Sequence, residues 1–362
     1  MGKQVYKLIG GAGQYAEQLG LTNATWYRCD IPRPVMKELM TRRDGPAIRD
    51  TVHWYALILA AAFLLFALAG SNWIIPAFLL YATLYAGPAD SRWHEAGHGT
   101  AFKTRWMNDW LYQVASFQVM RRPTVWRWSH ARHHTDTLIT GRDPEIQIHL
   151  PIRVLLVLWD FFGLKLAPLE FSKSIGNACG WISAEEKTFI PESEWLTVVR
   201  EGRVWLLIFG AVGLVAATFQ TWLPFLFIGP LPSIFGSWLY NFFGVTQHAC
   251  LPENVLDHRL NSRTVLMNPV FKFLYWNMNY HVEHHMFPMV PYHALPRLHE
   301  VMKADCPPPY RSTWAVYCEV IDALIRQRRD PSYFVRRPLP ASPVESNPTD
   351  AVTTFGEERS PA

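Results

Sequence analysis

The sequence predicts an all-α integral membrane protein: four transmembrane helices in two hairpins, with a cytoplasmic helical cap. Three observations lead there. Apolar residues gather in runs of membrane-spanning length, basic residues collect on one side of those runs, and histidines recur in clusters beside them.

A span needs about 20 mostly apolar residues, and four stretches approach that length: 54–70, 73–89, 204–221 and 223–245. They pair as hairpins turning at Gly70-Ser71-Asn72 and at Gln220 to Pro224, and neither turn holds a Lys or Arg. By contrast Lys37, Arg42, Arg43 and Arg49 crowd the entry to the first span. More basic residues lie between the hairpins and after the last span, so the positive-inside rule puts both termini and the central loop in the cytoplasm. Trp54, Trp73, Trp205 and Trp222 fall near span ends, as interfacial anchors do. A fifth apolar run, 154–169, is interrupted by Asp160 and Lys165, and charges are costly at the bilayer centre. Crossing there would also part the last histidine cluster from the others. The run is therefore expected to form an interfacial or re-entrant helix.

The spans divide the 362 residues into four parts. Residues 1–52 form a cytoplasmic N-terminal segment, 53–305 the membrane domain, and 306–330 a cytoplasmic C-terminal helix. Residues 331–362, rich in Pro, Ser, Thr and charge, read as a disordered tail. The first fifty residues lack the apolar core of a signal peptide, so insertion is expected to rely on internal helices. Five scattered cysteines without a CxxC pair give no disulfide framework and suit a reducing compartment. Gly10 to Gly13 lacks the GxGxxG spacing of a nucleotide loop. The basic run from Arg326 to Arg337 reads as solvated surface.

Nine of the fourteen histidines fall into four places. They are His94 and His98 in His94-Glu95-Ala96-Gly97-His98, then His130, His133 and His134, then His248 alone, then His281, His284 and His285. Residues three and four apart share a helix face, so each cluster aims its imidazoles at one point. A zinc site takes three or four ligands, and the surplus argues for two metal ions. The first cluster is also HExxH, the helix of zinc proteases with a general-base glutamate. A membrane metalloprotease of that kind needs one further ligand and leaves most of the clustered histidines without a role. A metal-binding membrane protein without catalysis is the other alternative. His53, His149, His258, His293 and His299 lack such spacing and read as surface or supporting groups.

Across residues 50 to 305 the chain resembles the membrane fatty-acid desaturase and hydroxylase superfamily, marked by three histidine boxes beside four spans. The likeness is carried by Arg92 to Thr100, Ser129 to Thr135 and Asn279 to Pro288, with the flank Val290 to His299 and the pair Gln247-His248. The first box is most similar to the rhizobitoxine desaturase-like subgroup. The resemblance implies a non-haem di-iron centre using O2, held by the nine clustered histidines, with no catalytic group beyond the metals. Glu95, Asp90, Asp136, Asp143 and Glu283 are expected to support ring N–H groups or metal-bound water. The implied reaction removes hydrogen from an unactivated C–H position, ending in a double bond or an alcohol. Its substrate is a lipid acyl chain or a small amphipathic molecule. No haem, flavin, NAD or iron–sulfur motif occurs, so a separate electron donor is expected: a ferredoxin, a rubredoxin, or cytochrome b5 with its reductase. Arg121, Arg122, Arg127 and Arg132 are candidates for attracting an acidic carrier. A bacterial inner membrane is the expected location.

Overall fold

A computed structural model describes residues 6–340 except 147 and 151. Among the described residues the secondary structure is helical, with isolated β-bridges and no strand. Short helices α1 (Gly11–Gln18) and α2 (Arg33–Leu39) precede two long ones, α3 (Asp44–Ala67) and α4 (Ile74–Gly97), joined by a tight turn. Then come α5 (Arg105–Gln118), α6 (Pro123–Thr135), α7 (Val154–Phe161) and α8 (Leu166–Ala178). The second long pair is α9 (Trp195–Thr218) and, after the one-turn α10 (Pro224–Phe227), α11 (Pro230–His248). The chain closes with α12 (His258–Asn261), α13 (Pro269–Leu274), α14 (His281–Met286), α15 (Leu295–Met302) and α16 (Thr313–Gln327).

The pairing of α4 with α11 organises the core. It depends on small residues: a Cβ on Gly236 would stand 1.9 Å from the Ala82 carbonyl oxygen and 2.9 Å from Ala86 Cβ. Backbones meet this closely only where side chains are absent or short. Helix α3 covers another face of α4, with Trp54 fully buried and its indole N–H donating to Leu84 O at 2.8 Å. Beyond the turn, Asp44 at the start of α3 accepts both N–H and hydroxyl of Thr104, which fixes the entry to α5. Away from these contacts the long helices are greasy outside. Leu59, Phe63, Ile75, Leu207 and Leu214 are each more than 60% exposed. The stretch Arg33–Ala67 is long and apolar enough to cross a membrane by length and composition.

Several sequence expectations change here. Trp54 and Trp205 belong to the core, while Trp73 and Trp222 are exposed. The stretch 223–245 is not one helix, because Gly229, at φ 107°, with Pro230 beyond it, breaks α10 from α11. The run 154–169 is likewise cut at Gly163, at φ 64°, into α7 and the start of α8. Residues 331–340 of the expected disordered tail lie against the domain: Val335 N–H donates to Cys250 O at 2.8 Å. Arg337, read as solvated, is buried and donates to Ser262 O and Pro308 O. The rest of that tail, 341–362, lies outside the described residues.

The expected basic surface is also mostly spent internally. Arg121 is paired with Asp90, and Arg132 with Asp136. Arg122 is buried between Glu170 (2.8 Å), Glu186 (2.6 Å) and Asn177 (2.7 Å). Only Arg127 of the four keeps a side chain as much as 44% exposed. Arg122 begins the turn into α6, so its network ties that helix to α8 and to the loop before α9. Burial alone would raise the Glu186 carboxyl, but Arg122, with Lys173 and Ser183, holds it at about 2. A depressed carboxylate contributes stability above its ordinary 4.5 and loses it as pH falls toward 2. Thermal unfolding of detergent-solubilised protein is expected to drop across that window, with a smaller drop in Glu186→Gln.

Candidate metal centre

Four separate parts of the chain deliver the imidazoles. Box one ends α4, box two fills the last turns of α6, His248 ends α11, and box three is α14 itself. The central pairing of α4 with α11 thus places His94, His98 and His248, and the network around Arg122 sets α6 against them. All nine clustered histidines converge.

They sort into two adjoining groups. In the first, His94, His98, His130, His134 and His284 offer nitrogens within 4.8 Å of one another. His130 is its middle: its Nε2 lies 3.1 Å from both His98 Nε2 and His134 Nε2, and His134 Nε2 lies 3.2 Å from His284 Nε2. The second group joins His133, His248 and His285. His281 completes it, with Nε2 at 2.9 Å from His248 Nε2 and 3.0 Å from His285 Nε2. The two groups touch where the His134 and His285 rings stack at 4.4 Å.

The opposite nitrogens of three rings are pinned, while those of His134, His281 and His284 are buried without a partner. His130 Nδ1–H donates to Glu145 at 3.0 Å, His133 Nδ1–H to Asp143 at 2.8 Å, and His248 Nδ1–H to Asn261 O at 2.7 Å. A donor held at Nδ1 leaves the Nε2 lone pair for a metal, the usual second contact of a ligating histidine. Burial and the neighbouring histidines push His134, His281, His284 and His285 well below the ordinary imidazole range, so they stand neutral. Burial would lower His133 too, but Asp143 lifts it to about 8. Burial alone would raise Glu145, yet His130, His133 and Arg121 hold it at about 2. The set fits a bound cation: lone pairs aim at shared points, and His94 Nε2 is buried without a partner.

A family model for fatty acid desaturases matches residues 71–317, a stretch that contains every one of these histidines. The chain belongs to the fatty acid desaturase family. It is also similar to human fatty acid desaturase 3, with 25% identity over 275 residues, 68% of this chain and 58% of that protein. The chain therefore spans less than two thirds of that relative's length.

Within this desaturase-family fold the carboxylates named from the sequence have different partners. Asp143 reaches His133. Glu283 takes the Nδ1–H of His299 at 2.5 Å and the Thr264 hydroxyl at 2.6 Å, so it braces α14 against α15 and reaches no clustered ring. Asp136 answers Arg132 and Arg142, and Asp90 pairs with Arg121. Glu95 is fully buried and accepts the Tyr292 N–H at 2.9 Å. Of the unclustered histidines, His258 is buried, stacked on Trp26 at 4.3 Å, with its ring 5.2 Å from that of His285. Glu145, Asn261 and Thr137, whose hydroxyl lies 3.2 Å from His285 Nδ1, carry contacts that the sequence reading does not include. Asp143-Pro144-Glu145 sets two acids around a proline just after box two, and that was the available signal for Glu145. The other two carry no pattern.

Proposed function

We propose that this chain is an O2-dependent membrane oxidoreductase of the desaturase type, with two irons held by the nine imidazoles. It introduces a double bond or a hydroxyl at an unactivated C–H position. One observation carries the reading: nine ring nitrogens from four distant segments meet in two adjoining groups, with carboxylates behind His130 and His133. A redox-active ion supplies the O2 chemistry that such carbons require, and zinc has none. The residues themselves do the rest. Asp143 and Glu145 fix ring orientation and raise ligand basicity. His133 and His248 also line a cavity of about 790 Å3, which lets a substrate carbon rest against the second group. Trp126, Phe161 and Val245 in the same wall keep water out.

Helices α3, α4, α9 and the broken α10–α11 serve as the four spans, supported by their exposed leucines and phenylalanines. At about 1.5 Å per residue, the eight residues of α7 are too short to cross a core of roughly 30 Å, which suits an interfacial position. An even number of crossings then leaves every histidine on the cytoplasmic side, where a separate ferredoxin, rubredoxin or cytochrome b5 delivers electrons. The protease alternative loses ground because a zinc site takes three or four ligands, whereas nine imidazoles converge here. Purified protein is expected to hold about two irons per chain, the number its surplus of ligands requires, and to form product only with O2 and reduced donor. A single zinc with peptide cleavage, or metal without any turnover, would overturn the proposal.

A further inference from the structure

The wall of the cavity beside the second histidine group is mostly apolar but carries charged side chains. Its most exposed charged residues, Lys7, Arg153 and Lys165, are basic and stand at the rim, while the acidic Glu145, Asp160 and Glu253 of the same wall are partly buried. Its buried part includes Asp90 and Arg121, an ion pair whose side chains are only 13% and 11% exposed. The Arg121 guanidinium is caged by aromatic rings, 4.2 Å from Trp93, 4.8 Å from Trp126 and 5.6 Å from Tyr240. Trp93 in turn lies 5.3 Å from the His130 ring. The pair therefore stands one aromatic ring away from the first histidine group while lining the cavity that reaches the second.

Stability does not account for this pair. Replacing a buried ion pair by apolar residues is often neutral or stabilising. A plain alkyl chain has no use for it either, since the charged groups lose water and gain no partner. Asp90 meets Arg121 through Oδ1. The two charges cancel, so a ligand group with a lone charge would unbalance the site. A neutral group that both donates and accepts satisfies carboxylate and guanidinium together.

We propose that Asp90 and Arg121 determine specificity by binding a hydroxyl or amide at the far end of the substrate, while the basic rim takes its anionic end. The substrate class is then a chain with two polar ends, not a plain fatty acid. This rests on the oxidation proposed above and names what that same site admits.

The test uses the full-length, metal-loaded protein and binding by displacement or thermal stabilisation. The probes are a length series of medium-chain ω-hydroxy and ω-carboxamide acids, each with its plain acid. At the best length the polar-ended probe is expected to bind about tenfold tighter or more, the value of one hydrogen bond to a charged group. Asp90→Leu combined with Arg121→Met should erase that preference, with bound metal measured alongside because Arg121 also helps hold Glu145 ionised behind His130. Asp90→Asn, nearly isosteric, should reduce it and serves if the double variant does not fold. Plain acids preferred at every length, or a preference that survives the double variant, would overturn the assignment. Turnover is scored separately. A retained preference without O2-dependent product counts against the oxidation alone, and oxidation of plain acids without preference counts against the ion pair alone.

Discussion

Replacing His130 by alanine is expected to abolish turnover and to strip metal from the first histidine group. Its Nε2 lies 3.1 Å from those of both His98 and His134, and its Nδ1 is tied to Glu145, so its loss takes away a nitrogen at the middle of the group. Its loss also leaves Glu145 with one partner fewer in a buried place, since the remaining bond there comes from the Ser129 hydroxyl. The matching change one shell out is milder. Asp143→Asn keeps the shape behind His133 but weakens the hold on its Nδ1–H, and such substitutions cost roughly 10–100-fold in metal affinity or activity. Iron content, product formation and thermal unfolding measured on the same preparations give the ranking. His130→Ala should lose more than Asp143→Asn on the first two, with both variants still inserted in the membrane. Full iron and full turnover in His130→Ala would sink the assigned ligand set.

The histidine set was legible because helical spacing is local: two residues four apart share a face whatever surrounds them. Convergence of boxes one and two on His284, across 150 residues from His134, was a topological inference from parity of crossings. The supporting groups were harder to read for a physical reason. A carboxylate is chosen as a partner by three-dimensional approach, and sequence nearness to a histidine says little about it. Glu95 sits inside box one yet serves Tyr292, while Glu145 sits outside box two yet serves His130. Trp54 misled in the same way. Its position at a span end suggested the interface, but the Arg92 guanidinium lies 4.9 Å over its ring and the helix behind it closes it off. Prolines and glycines were underweighted: Gly163 and Gly229 cut apolar runs that hydropathy alone reads as continuous.

Gly236→Ala is expected to disrupt the fold, although it adds a single methyl group in the middle of a helix. That methyl would stand 1.9 Å from the Ala82 carbonyl oxygen, 2.6 Å from its carbon and 2.9 Å from Ala86 Cβ. Two of these obstacles are backbone atoms with no rotamer to escape into, so the helices themselves must separate. Overpacking with flexible neighbours costs about 1–3 kcal/mol, and this site should exceed that range. The consequence reaches the metal centre, because α4 carries His94 and His98 while α11 carries His248. Gly210, on α9, provides the control, since a Cβ there meets nothing within 4 Å. Gly210→Ala should be neutral or stabilising by up to about 1 kcal/mol, the ordinary helical gain over glycine. Unfolding temperature and bound metal in detergent decide the matter. A Gly236→Ala protein that melts with the wild type and keeps its metal would mean that α4 and α11 do not meet through their backbones, and the placement of His248 opposite box one would have to be rebuilt.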